Sequence, residues 1–92
     1  MEYKRFFSFD LVEWESQAGG HWTNKKGVVV GIVPKNTHPS SLNFPALRTD
    51  VYSDRNHESY IVRVKVGKTQ YRDYWPRVSA LRWIQGIEII SL

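Results

Sequence analysis

Cations interleaved with aromatic rings are the residues of this 92-residue sequence whose types and spacing carry the most chemistry. Arg63, Lys65, Lys68, Arg72 and Arg77 recur through one stretch with Tyr71, Tyr74 and Trp75 among them, and Lys25 and Lys26 follow Trp22 earlier in the chain. Clustered Lys and Arg neutralise phosphates and release counterions, so binding weakens as salt rises. Aromatic faces stack on bases with little regard to sequence. Together they point to nucleic acid, with Lys25, Lys26, Arg63, Lys65, Lys68, Arg72 and Arg77 on the phosphate backbone. Trp22, Tyr71, Tyr74 and Trp75 are the expected stacking faces. The same aromatics support a second reading, a protein-protein module. Trp22, Tyr74 and Trp75 lie beside Gly or Pro and are expected to be partly exposed, and exposed aromatic and Arg residues are the usual interface anchors. Such a module holds an extended or Pro-rich peptide, lends a sheet edge to a partner, or acts as an accessory or inhibitor on a larger complex.

Catalysis finds little support. His21, His38 and His57 are scattered without metal-ligand spacing, and with no cysteine a metal site would lack sulfur ligands. No metal or other cofactor is expected. Asp54-Arg55-Asn56-His57-Glu58 is the densest polar cluster and offers an acid–base pair in principle, but it reads as a solvated turn before a strand. Gly67-Lys68-Thr69 resembles the end of a phosphate-binding loop, yet Val62 stands where that motif needs Gly and a strand pattern follows in place of a helix. No Gly-x-Ser-x-Gly elbow occurs. The reading is a non-enzyme.

The elements that must hold these residues are strands. Phe9 to Trp14 reads as the first, with Val12 and Trp14 on one face and Asp10 and Glu13 near solvent; Gln17 to Gly20 reads as a loop. Lys26 to Val33 is apolar on both faces and therefore central, with Gly27 and Gly31 marking a bulge or close approach. Lys35 to Glu58 is rich in Pro, Asn and Ser and reads as a long loop with a short helical turn, either functional or an ordinary insertion. Tyr60 to Val66 alternates, with Tyr60, Val62, Val64 and Val66 on one face and Ile61, Arg63 and Lys65 on the other. Gly67-Lys68 suits a two-residue type II′ turn into a partner strand over Tyr71 to Trp75. Ser79 caps a helical turn running to Trp83, and Ile87 to Ile90 is a last short strand. Trp14, Tyr60 and Trp83 are expected in the core.

Five short strands in one chain of this length predict a mainly-β fold, a small, strongly bent five-stranded barrel with a long central loop and one short helical turn near the C-terminus. Asp10-Leu11-Val12-Glu13-Trp14, a Gly-containing loop, then Lys26-Gly27-Val28-Val29-Val30-Gly31-Ile32-Val33 resembles the opening of small SH3-like barrels of the Tudor and KOW type, where a D-x-V-x-W strand precedes a G-x-V-x-x-V strand. The resemblance covers residues 9–90 in strand order and departs in the long 35–58 insertion; no Tudor aromatic cage is placed. It implies a binding module for nucleic acid or protein. Such a fold hosts many functions, so the site has to carry the argument.

Composition bounds the rest. Thirteen Lys and Arg against nine Asp and Glu give a net charge of +4. The excess falls in residues 21–48, with four cations and no acid, and in residues 61–82, with six cations against Asp73. One domain over residues 1–92 is expected. No apolar run approaches the ~20 residues of a membrane helix, and residues 1–10 lack a signal-peptide pattern, so no membrane partner is expected. Zero cysteine fits a reducing, cytoplasmic setting. An unpaired edge strand would allow a homodimer.

Overall fold

A computed structural model describes residues 4–47, 49 and 51–84. Five strands form one antiparallel sheet: β1 (Leu11–Ala18), β2 (His21–Val33), β3 (Ser59–Lys65), β4 (Tyr71–Tyr74) and β5 (Arg82–Trp83), in the order β4-β3-β2-β1-β5. Two 3-10 turns, Pro39–Ser41 and Val78–Ala80, interrupt the connections. Mainly-β architecture agrees with the sequence pattern, and β1 to β4 fall where strands were expected, whereas β5 does not. The described residues form an open ladder, with no pairing between β4 and β5 to close it.

The β1–β2 hairpin is longer than the sequence pattern implies. Its register runs from Leu11 opposite Val28 to Ala18 opposite His21, so Gln17 and Ala18 are strand and only Gly19-Gly20 turns. Both glycines hold positive φ, 59° and 81°, which a tight two-residue hairpin of matching twist demands. Polar Ser16, Gln17, Thr23 and Asn24 hid this extension, since no apolar alternation marks it.

One face of the sheet carries the main core. Val12 and Trp14 of β1, Val29 of β2 and Tyr60, Val62 and Val64 of β3 pack with Phe6, Val78 and Leu81. Full burial of each Val, Leu or Phe contributes about 1.5–3 kcal/mol. The Tyr60 hydroxyl accepts from the Phe6 amide at 3.1 Å and donates to Glu58 Oε1 at 2.8 Å, so the buried ring keeps its polar tip satisfied. Burial first, then the neighbouring Glu58, raises the Tyr60 pKa.

A second, smaller core lies on the opposite face, which β3 was expected to present as basic. Val33, Ile61 and Trp75 are covered there by Val30, Leu42, Phe44 and Leu47. The long segment is thus a folded cover. A bulge makes room for it: Val29 faces Val62 and Gly31 faces Ile61, leaving Val30 as the extra residue. The Phe44 ring lies where a Cβ on Gly31 would sit, and the Arg63 carbonyl crowds the corresponding site at Gly27. Both glycines therefore serve close approach, as their spacing implies.

The cover is anchored at several points. His38 accepts from the Ser40 amide at Nδ1 (3.1 Å), and its Nε2 lies 2.8 Å from the Val51 carbonyl. The Asn36 amide, from a left-handed backbone (φ 60°), donates to the Arg55 carbonyl at 2.7 Å. Arg55 stacks 3.9 Å from the Trp75 ring centre and donates to the carbonyls of Pro76 (2.7 Å) and Trp75 (3.0 Å).

Three local expectations need correction. The β3–β4 turn is wider than two residues: the Val66 amide donates to the Gln70 carbonyl at 3.0 Å, with Gly67-Lys68-Thr69 at the tip, and Gly67 lacks the positive φ of a type II′ turn. The helical turn begins at Val78 after Arg77 and gains no side-chain cap, with Ser79 inside it. Arg82 and Trp83, expected to continue that turn, instead extend to pair with Glu13 and Val12, because buried Leu81 turns the chain back onto β1. The strand expected at Ile87 to Ile90 lies outside the described residues.

The glycines give a direct check in urea unfolding. Gly67→Ala should be neutral or stabilising by up to about 1 kcal/mol, whereas Gly31→Val should lose about 1–3 kcal/mol by displacing Phe44. A clear loss at Gly67 would restore the tight-turn geometry.

Candidate nucleic-acid interface

The face of the sheet that carries Glu13 is a ladder of matched charges. Arg82, from β5, forks onto Glu15 of β1 with two bonds of 2.8 Å and reaches Glu13 at 3.0 Å. Asn24 of β2 donates to the same two carboxylates at 3.2 and 3.1 Å. Those Arg82 and Asn24 hydrogen bonds lower the Glu15 pKa from 4.5 to about 2, and Glu15 in turn raises that of Arg82. Further along, Arg63 of β3 lies opposite Asp73 of β4 and grips it with Nε to Oδ1 at 2.9 Å and an η-nitrogen to Oδ2 at 3.1 Å. Asp73 is fully buried. Its hydrogen bond raises the Arg63 pKa.

These pairs divide the seven cations singled out in the sequence. Arg63 is committed to Asp73. Lys25 points to the main-core face, where its ammonium bonds Ser16 Oγ and lies 5.3 Å from the Tyr74 ring centre. Lys26 lies across from Glu13 and is engaged within the fold. Lys65, Lys68, Arg72 and Arg77 make no ion pair or side-chain hydrogen bond among the described residues. Three of these four sit on the β3–β4 hairpin: Lys65 beside Tyr71, Lys68 at the tip, and Arg72 opposite Val64.

The acids are nearly all occupied. Asp10 accepts from the Phe7 amide (2.9 Å) and the Trp83 indole (3.1 Å). Glu58 takes the Tyr60 hydroxyl and faces Arg5 at 3.8 Å. With Glu13, Glu15 and Asp73 matched as above, Asp54 alone among the described carboxylates has no such partner. Among the described residues, the charge left unpaired is therefore mainly positive.

The four expected stacking residues also divide. Trp22 is 69% exposed, and Tyr71 is exposed on the hairpin. Tyr74 is half-buried, edge-on to Trp14 at 5.8 Å between ring centres. Trp75 is 6% exposed, with its indole N–H on Ser59 Oγ at 2.7 Å and the Arg55 guanidinium over its face. The Trp-Pro corner is structural, and Trp75 offers no free face. Trp83 is partly exposed and packs 4.4 Å from the Phe6 ring centre.

Sequence reasoning missed the exposed rings of Phe7, Phe9 and Tyr52. Phe9 looked like a strand start, yet it turns outward at φ 72°. Reasoning also missed Arg55 and His57 as lining groups. They line a cleft of about 350 Å³ with Arg77 and Ser79. Arg77 and Ser79 also wall a groove of about 600 Å³ that runs to Trp22. A third recess, about 640 Å³, belongs to the cover around His38, Phe44 and Tyr52. Burial, then the nearby Arg77, lowers the Arg55 pKa. No three His, Asp or Glu side chains converge as a metal-ligand group among the described residues.

Two outcomes follow. Removing Arg63 strands a buried carboxylate, so Arg63→Ala should cost about 3 kcal/mol or more in urea unfolding, and Arg63→Met with Asp73→Leu should recover most of it. For Glu15, a lowered folded-state pKa means its contribution to stability is present above pH 4.5 and disappears as pH falls through about 2. Carboxyl NMR should therefore show Glu15 titrating near 2 in the parent and nearer 4.5 in Arg82→Ala.

Compared with known protein families, with characterised proteins and with solved structures, the chain matches none.

Proposed function

We propose that this chain is a non-enzymatic binding module on an SH3-like barrel, and that it contacts nucleic acid through the outward cations of the β3–β4 hairpin. The fold part is supported by a meander from β1 to β4 whose fifth strand returns to β1, the strand order that the Tudor and KOW resemblance implies. The bulge at Val30 supplies the local bend that such a barrel uses.

The observation that carries the function is the charge left after internal pairing. Almost every described carboxylate is matched inside the fold, while Lys65, Lys68, Arg72 and Arg77 are not. Cations without internal partners break no internal ion pair when they turn to phosphates, and they raise the encounter rate with a polyanion. Exposed Tyr71 lies in register with Lys65, so a ring accompanies the charge. Arg63 and Trp75 leave the proposed contact set because their charge and ring are spent within the fold.

A protein partner is the second reading, and one observation favours it. Phe7, Phe9 and Trp83 are exposed around Asp10, which bonds both the Phe7 amide and the Trp83 indole. Exposed aromatics gathered this way are interface anchors.

Anisotropy with labelled single-stranded and duplex DNA and RNA separates the two. The nucleic-acid reading expects saturable binding that weakens log-linearly with salt, and each of Lys65→Glu, Lys68→Glu and Arg72→Glu should flatten that slope by about 0.7 on single strands or 0.9 on duplex. No saturable binding at low salt, where the electrostatic attraction is greatest, would overturn it and leave the Phe7–Phe9–Trp83 surface as the site.

A further inference from the structure

The cleft beside Arg55 and the groove beside Trp22 share Arg77 and Ser79 as walls. We propose that these two recesses seat one unstacked nucleotide of a single strand, with its phosphate in the cleft at Arg55 and Arg77 and its base on Trp22 in the groove. This rests on the nucleic-acid reading above and narrows it to single strands.

The cleft has the chemistry of an anion site. Two guanidiniums and His57 line it, and among the described residues no carboxylate does. Arg77 stands close enough to disfavour the charge on Arg55, a repulsion that a bound anion would relieve. Arg55 is held in place before any ligand arrives, stacked on Trp75 and bonded to two carbonyls. Those two bonds leave further N–H groups of its fork for a phosphate, the ligand that planar guanidinium geometry suits.

The groove has the chemistry of a base site. Trp22 belongs to neither core and is largely exposed, two residues beyond the Gly-Gly turn of a fully paired hairpin. Its wall therefore stands on rigid backbone. Ser16, Gln17 and Ser79 offer hydrogen-bonding groups to a base edge. Glu15, the one carboxylate lining the groove among the described residues, is already held by Arg82, which it shares with Glu13. The volume falls within the roughly 300–1,000 Å³ of small-molecule sites. A duplex keeps its bases stacked on one another and away from such a face, whereas a single strand presents them.

The test uses the full chain with oligothymidylate, an abasic strand of equal length, the matching duplex and thymidine monophosphate, with circular dichroism confirming the fold of each variant. The parent should prefer oligothymidylate to the abasic strand by about five- to hundredfold, the span of one base–aromatic stack. Trp22→Ala should collapse that ratio to near unity. Arg77→Ala should weaken both strands equally, keep the ratio, and reduce the salt slope by about 0.7. A ratio unchanged in Trp22→Ala overturns the base seat while leaving the hairpin contact standing. Duplex or free monophosphate binding as tightly as the strand also overturns it, as does an acidic peptide that displaces oligothymidylate as well as the abasic strand does. Failure of every nucleic acid to bind removes the underlying reading and this one with it.

Discussion

A carboxylate sealed from water is tolerated only where a cation meets both its oxygens, since the desolvation cost is several kcal/mol. Asp73 is that carboxylate, and Arg63 meets it through a two-pronged contact across the β3–β4 ladder. Much of the remaining geometry depends on this pair. A slip of one residue in the hairpin would drive Asp73 to the face where Val62 and Tyr74 pack, so the pair fixes the register. The backbone of Asp73 also bonds the Ala46 carbonyl at 3.4 Å and bridges Leu47. From there Phe44 reaches Gly31, and the cover closes over Ile61 and Trp75.

The same pair accounts for the main gap between sequence and structure. Alternation of Tyr60, Val62 and Val64 with Ile61, Arg63 and Lys65 made the β3 strand legible, and the glycines at 27 and 31 marked the bulge. What alternation leaves open is whether a cation on the other face meets solvent or a buried acid. Asp73 looked like one acid among cations on a hairpin; its burial comes from Ala46 and Leu47, in a segment whose Pro, Asn and Ser residues carry no period. Trp75 was misplaced for the same reason, because Arg55 and His38 cover it from that aperiodic stretch. The β1–β2 hairpin was underestimated because its outer half is polar on both faces. Gly19-Gly20 was the signal that could have extended it.

Charge in this molecule thus has two roles set by position. Across the two outermost strand pairs, Arg63 and Arg82 satisfy carboxylates and hold β4 to β3 and β5 to β1. At the hairpin tip and at the exit from β4, cations stand without such partners among the described residues. Pairing within the fold leaves the net charge of +4 unchanged and decides only where the unpaired cations stand. The local positive field is concentrated at Lys65, Lys68, Arg72 and Arg77.

The strip of cover at Ala46 and Leu47 has one more effect. β4 ends the sheet, and an uncovered end strand is a template on which a second chain can add its own strand, the first step toward fibrillar growth. The bridge between Leu47 and Asp73 occupies the middle of that short strand, so the stretch that remains open is too brief to seed further layers. A chain this rich in Val and Tyr along its strands therefore carries its own chain terminator, and crowding at high concentration meets a blunt end there instead of a growing one.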